Sequence, residues 1–265
     1  MTDICKSNVA EFMRRARNAT KERRGAVCPQ LLPESIVDHG FMSALLPLVV
    51  FEEMFKHVPK DTDAISHTEC ADEINVVAIS MLLHDLHEVY AKDVPYPIKN
   101  DSNATKEAYA LLEEVGKARL YGNYMRTRDK SSIGGILYGE GLVKLFDYLD
   151  FLFWACRERE CGNSTPEILE MITKGALVAV DGACEFLNEL SNHNSAPTSK
   201  LLRAIIQRMS AFAVIINTII EDCVCCSGLE CYDSMIGRIS FDTEKGWVRW
   251  RSSNVCERRT RKETE

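Results

Sequence analysis

Leu82-Leu83-His84-Asp85-Leu86-His87-Glu88 constrains this chain more than any other segment. The apolar residues Ile74, Val77, Ala78, Met81, Leu82 and Val89 recur at helical spacing, so the surrounding stretch reads as a buried helix over about 69–91. Charged and metal-ligating side chains interrupt that apolar face. A fold can accept His84 and Asp85 there only if it opens a polar cleft at that point, or brings up other polar groups to meet them. Two further segments offer such groups. Val37-Asp38-His39-Gly40 lies upstream, and Val143-Lys144-Leu145-Phe146-Asp147 lies downstream.

The rest of the chain is patterned as helices. Asn8 to Arg24 reads as a basic amphipathic helix, and Gly25 to Ser35 as a loop. Helices are predicted over 39–57, with Pro47 as a kink or first-turn residue, and over 104–126, 142–159 and 166–191. Lys200 to Asp222 is predicted as one long helix, apolar at Leu202, Ile205, Ile206, Met209, Phe212, Ile216 and Ile219, and that face suits burial in the core. Asp93-Val94-Pro95-Tyr96-Pro97 must break the helix before it, because proline removes a donor and favours extended backbone. Near the end, Ile239, Phe241, Trp247 and Trp250 flank Asp242-Thr243-Glu244-Lys245-Gly246 and suit a short β-hairpin. The expected fold is therefore all-α, a helical bundle over 1–222 with a Cys-rich and aromatic C-terminal appendage over 223–265.

Composition narrows the function. A chain of 265 residues, 46% of them hydrophobic, can bury one good core. A net charge of −7 argues against nucleic acid or a membrane surface as partner. The basic stretches around Arg14 to Arg24 and Arg258 to Lys262 read as solvated faces, with one or two N-terminal arginines available to phosphate. The start, Met1-Thr2-Asp3-Ile4-Cys5, is polar and no apolar run follows, so the expectation is a cytoplasmic protein with its eleven cysteines mostly reduced and buried. The spacing of Cys223, Cys225, Cys226 and Cys231 lacks paired zinc knuckles and suits helix-end cysteines without metal.

His39, His84, Asp85 and Asp147 together offer two imidazoles and two carboxylates. That donor set suits one borderline divalent ion, with positions left for water and a phosphate oxygen. Asp150, one turn beyond Asp147, competes for the same role. Glu88 follows His84 by four residues and could handle a proton beside the ion. His87 is rotated away from that face.

The order His39, His84-Asp85, Asp147 resembles the metal quartet of the HD-domain phosphohydrolases. His84-Asp85-Leu86-His87-Glu88, continuing to Asp93, Pro95, Pro97 and Lys99, is similar to the HD-x-x-E-x-x-x-x-D-x-P-x-P-x-K pattern of the HD-type 5′-deoxynucleotidases and related phage phosphohydrolases. Val143-Lys144 with Asp147 and Leu149 resembles their V-K-x-x-D-x-L. The resemblance implies one catalytic divalent ion (Co, Mn, Zn, Fe or Mg) and hydrolysis of a nucleoside 5′-phosphate, in a homo-oligomer. It also implies that Glu88 serves the water, that Arg24 (or Arg23) binds phosphate, and that Lys92, Asp93, Val94, Pro95 and Tyr96 line the nucleotide site. Departures from the pattern are Gly40 after the first His, Gly25 after Arg24, and Lys92, whose charge could favour more than one phosphate. The leading expectation is removal of the 5′-phosphate from deoxyribonucleoside monophosphates. The alternatives are a dNTP triphosphohydrolase, a signalling-nucleotide hydrolase and a non-catalytic nucleotide-binding module.

Overall fold

The computed structural model describes residues 16, 20–21, 30–57, 64–91, 101–121, 140–192, 199–226 and 236–250. The described residues are mostly helical, with one two-stranded hairpin near the C-terminus. The helices are α1 (Ile36–Lys56), α2 (His67–Leu83), α3 (Glu88–Ala91), α4 (Asn103–Tyr121), α5 (Glu140–Glu160), α6 (Pro166–Ser191), α7 (Lys200–Gln207) and α8 (Met209–Cys226). The strands are β1 (Arg238–Asp242) and β2 (Gly246–Trp250), paired antiparallel.

Local chemistry sets where the first two long helices begin. Ser35 caps α1: its hydroxyl accepts from the Asp38 N–H, while the Asp38 carboxylate accepts from the Ser35 N–H. Ser66 and Glu69 repeat that reciprocal cap on α2. Pro47 lies well inside α1, which continues through it without the hydrogen bond its nitrogen cannot donate.

One core ties the bundle together. Phe51 of α1 stands edge-on to Phe146 of α5 and stacks on Phe212 of α8, and Phe186 of α6 completes the aromatic centre. Helices α5 and α6 are antiparallel neighbours, with Gly175 against Phe151 and Leu152. The buried carboxylate of Glu158 accepts from the N–H groups of Leu31 and Leu32 and from the Asn163 side chain. It thereby anchors the segment leading into α1. Cys70, Cys156, Cys184 and Cys223 are buried, whereas Cys161 and Cys225 are exposed.

The apolar stripe expected over 200–222 is buried, but not on one helix. It bends by 83° at Arg208, where α7 ends and α8 begins. The Arg208 guanidinium explains the break. It donates to the carbonyls of His57, Ile65 and Ala204 and lies over the Phe55 ring, so it knits the end of α1 and the approach to α2 to the bend. Among the described residues no single helix is long and apolar enough to cross a membrane.

The expected hairpin forms, and it is clamped on both edges. The Asn188 side chain of α6 donates to the Trp247 carbonyl and accepts from the Trp247 N–H. Asn217 of α8 pairs with both backbone groups of Ile239 in the same way. Each asparagine therefore does for a strand edge what a third strand would do. Ile239 and Trp247 are buried in the same core as the helices. Ion pairs from Arg238 to Glu221 and from Arg249 to Asp181 add to the attachment.

Gly246 is required twice over. Its φ of +76° is poorly tolerated by other residues, and a Cβ there would stand 2.6 Å from Asn188 Oδ1. Gly246→Ala is expected to destabilise the protein by about 1–3 kcal/mol, seen as a lower denaturation midpoint. Thr243→Ala in the exposed turn should leave the midpoint unchanged.

Candidate metal centre

The stretch expected to be one helix over 69–91 is broken at the centre of the candidate site. Helix α2 ends at Leu83, and His84 to His87 form a turn before the short helix α3. The Leu86 and Glu88 N–H groups donate to the carbonyls three residues before them, Leu83 and Asp85. His84 and Asp85 therefore project from a helix C-terminus and its turn rather than from a helix face. Tightening the chain in this way lets both side chains turn to one point.

Gly40 brings the second imidazole there. A Cβ at residue 40 would lie 3.0 Å from the Leu82 carbonyl oxygen, so α1 passes against the last turn of α2 with no room for a side chain. His39, the preceding residue, consequently faces His84. Their Nε2 atoms are 3.2 Å apart and their rings stand edge to face. Asp147, from the second turn of α5, completes the group, with Oδ1 3.1 Å from His39 Nε2 and 3.5 Å from His84 Nε2. Asp85 Oδ2 lies 3.3 Å from His84 Nε2 and 3.6 Å from His39 Nε2.

These spacings fit the expected cofactor. Ligand atoms bound about 2.0–2.2 Å from one ion lie roughly 3.0–3.5 Å from their neighbours around it. The donor set, two imidazoles and two carboxylates, matches a borderline divalent cation. His39 is 1% exposed, whereas His84, Asp85 and Asp147 are between 15% and 25% exposed. The cluster is thus deep at one histidine and open to solvent along the carboxylates.

The His84 ring is pinned by its own helix. Its Nδ1 lies 2.5 Å from the Met81 carbonyl, which can only accept, so Nδ1 carries a proton and Nε2 faces the cluster. Burial alone would lower the His84 pKa. The Asp85 charge and the hydrogen bonds of Asp147 and Asp85 outweigh it and hold the imidazole up to about 10. With no cation between them, the two carboxylates keep His84 charged.

Other expected site residues stand as follows. Glu88 opens α3, is buried, and is joined to Asp85 by its backbone, but it is not one of the four atoms that converge. Asp150 does not compete with Asp147. It lies behind His39, with Oδ2 2.6 Å from Nδ1. His87 is buried outside the cluster; burial and the nearby Lys117 charge lower its pKa. Cys223 and Cys225 take part in no group of candidate ligands among the described residues. Arg24, Lys92, Asp93, Val94, Pro95 and Tyr96, and the side chain of Cys226 with Cys231, lie outside the described residues.

Sequence reasoning missed Glu34, whose carboxylate groups with His39 and Asp150. It missed the role of Gly40 as well. The reciprocal caps at Ser35–Asp38 and Ser66–Glu69 were available as signals, since Ser followed three residues later by an acid marks a helix start.

A helical bundle that brings a His, a His-Asp pair and an Asp to one point has the layout of an HD-type phosphohydrolase. The family model described as 5′-deoxynucleotidase YfbR-like matches residues 23–184, and the chain belongs to that family. Members of the family are metal-dependent enzymes that act on small nucleotides. No curated protein matches the chain.

The Gly40 crossing gives a direct test. Gly40→Val should force α1 away from Leu82, lowering stability by about 1–3 kcal/mol and weakening divalent-ion binding. Chemical denaturation and ion titration of the variant would check both effects, and wild-type values in both would contradict the crossing.

Proposed function

We propose that this protein removes the 5′-phosphate from deoxyribonucleoside monophosphates, releasing the deoxynucleoside and orthophosphate. The observation that carries the reading is the convergence of His39, His84, Asp85 and Asp147 in a chain of a 5′-deoxynucleotidase family. In this reading those four side chains hold one divalent ion. Mn, Fe, Co and Zn suit the mixed nitrogen and oxygen donors better than Mg.

When bound, the ion would lower the pKa of a water and offset charge on the phosphoryl group. The protein's own groups do the rest. Glu88, one turn after Asp85, accepts the proton that the attacking water gives up and passes it to the leaving 5′-oxygen. Arg24 grips phosphoryl oxygens with a planar fork whose charge does not vary with pH. Asp93 meets the sugar, with Val94, Pro95 and Tyr96 lining the nucleotide site and Lys92 adding positive charge at the phosphate end.

The test is product analysis on metal-free protein reloaded separately with Co, Mn, Zn and Mg, offered dNMPs, NMPs and dNTPs. Orthophosphate from dNMPs is expected. Glu88→Gln should lower the rate by about 10²–10⁴-fold, and the double variant His84→Ala/Asp85→Ala should abolish it. Tripolyphosphate from dNTPs would overturn the monophosphate reading in favour of a triphosphohydrolase. Nucleotide binding without turnover would favour a binding module.

A further inference from the structure

We propose that Asp150 is a positioning residue for His39, fixing the tautomer and rotation of the imidazole so that its Nε2 faces the point shared with His84, Asp85 and Asp147. The inference rests on reading His39 as a metal ligand, and it adds a residue outside the four.

The geometry is direct. Asp150 Oδ2 lies 2.6 Å from His39 Nδ1. Both groups are buried, His39 at 1% and Asp150 at 4% exposure. An ionised carboxylate can only accept, so the bond requires the ring proton on Nδ1 and leaves the lone pair on Nε2. The opposite edge of the same ring faces Asp147 at 3.1 Å. Residues 147 and 150 are three apart on α5 and share a face, so successive carboxylates of one helix hold the two ends of one imidazole.

The surroundings favour a role for this contact beyond packing. On the same helix Leu149 and Leu152 are fully buried. An ionised side chain at such depth is costly unless a strong hydrogen bond satisfies it, and an apolar residue would pack there at no such cost. His84 uses a backbone carbonyl for the same purpose, that of Met81. The two histidines are thus oriented by different means. His84 is held by a neutral acceptor of its own helix, and His39 by a charged acceptor from another.

Glu34 also groups with His39 and Asp150, and those three could be read as a second cation site. The ring argues against it. A neutral imidazole has one lone pair, and here that pair is on the Nε2 side, where Asp85 and Asp147 converge. Its Nδ1 carries the proton given to Asp150 and cannot bind a second cation.

The experiment is competition titration of Zn or Co against a chromophoric chelator, for wild type, Asp150→Asn and His39→Ala. It is paired with thermal unfolding of the metal-free proteins and 15N NMR of the histidine rings in Zn-loaded protein. Wild-type His39 should show a protonated Nδ1 and a metal-bound Nε2. Asp150→Asn should bind about 10–100-fold more weakly and show a mixture of His39 tautomers. Unchanged affinity in Asp150→Asn, whatever its melting temperature, would overturn the inference, because a purely structural aspartate affects folding alone. A wild-type His39 with its proton on Nε2 would overturn it even if the variant fails to fold. If wild type and His39→Ala bind the ion equally, or neither binds, the ligand reading fails and the inference with it.

Discussion

The site exists because α1 passes against the end of α2 at backbone distance. Gly40 against the Leu82 carbonyl sets that crossing, and it fixes where the flanking residues His39 and His84 must be. The first imidazole is delivered by a long helix whose buried Phe51 is locked into the aromatic centre with Phe146 and Phe212. The second is delivered by a helix terminus. Asp147 belongs to the same helix as Phe146, so the packing that anchors α5 also positions the fourth donor. Four polar groups otherwise costly to bring together are thereby held close by apolar contacts around them.

Electrostatics then give the cluster its sense. Two carboxylates and two imidazoles within bonding distance of one ion leave the carboxylates without a counter-charge unless a cation or a proton supplies one. The proton on His84, held to about pH 10, supplies it when no ion is bound. A divalent ion replaces that proton, so binding and deprotonation are linked. The partial exposure of Asp85 and Asp147 leaves the open side of the cluster to water and substrate, while His39 forms its buried floor.

Much of this was legible in the residues. The four donors stand out as polar interruptions of apolar helices, and all four converge. The hairpin was legible from alternating Ile239, Phe241 and Trp247 around a turn ending in glycine. Other features left no trace in the pattern. The break at His84–His87 involves neither glycine nor proline, and Val89 keeps the helical spacing across it. The bend at Arg208 is equally hidden, because Ile205, Met209 and Phe212 continue one apolar stripe while the cause is a side chain reaching carbonyls about 150 positions away. Asn188 and Asn217 read as ordinary polar helix residues until the strands they clamp are in place. Asp147 and Asp150 are alike in type and one turn apart; the V-K-x-x-D-x-L resemblance points to Asp147, but the contact of Asp150 with the far side of His39 leaves no trace in the pattern.

The central claim is that one ion sits among these four side chains. X-ray absorption spectroscopy of protein loaded with Co(II) tests it most directly. The account predicts one ion per chain with two imidazole nitrogens, the remaining ligands oxygen and no sulfur, and the loss of one imidazole in His39→Ala. Sulfur in the coordination shell, or a spectrum unchanged by His39→Ala, would place the ion elsewhere and contradict it.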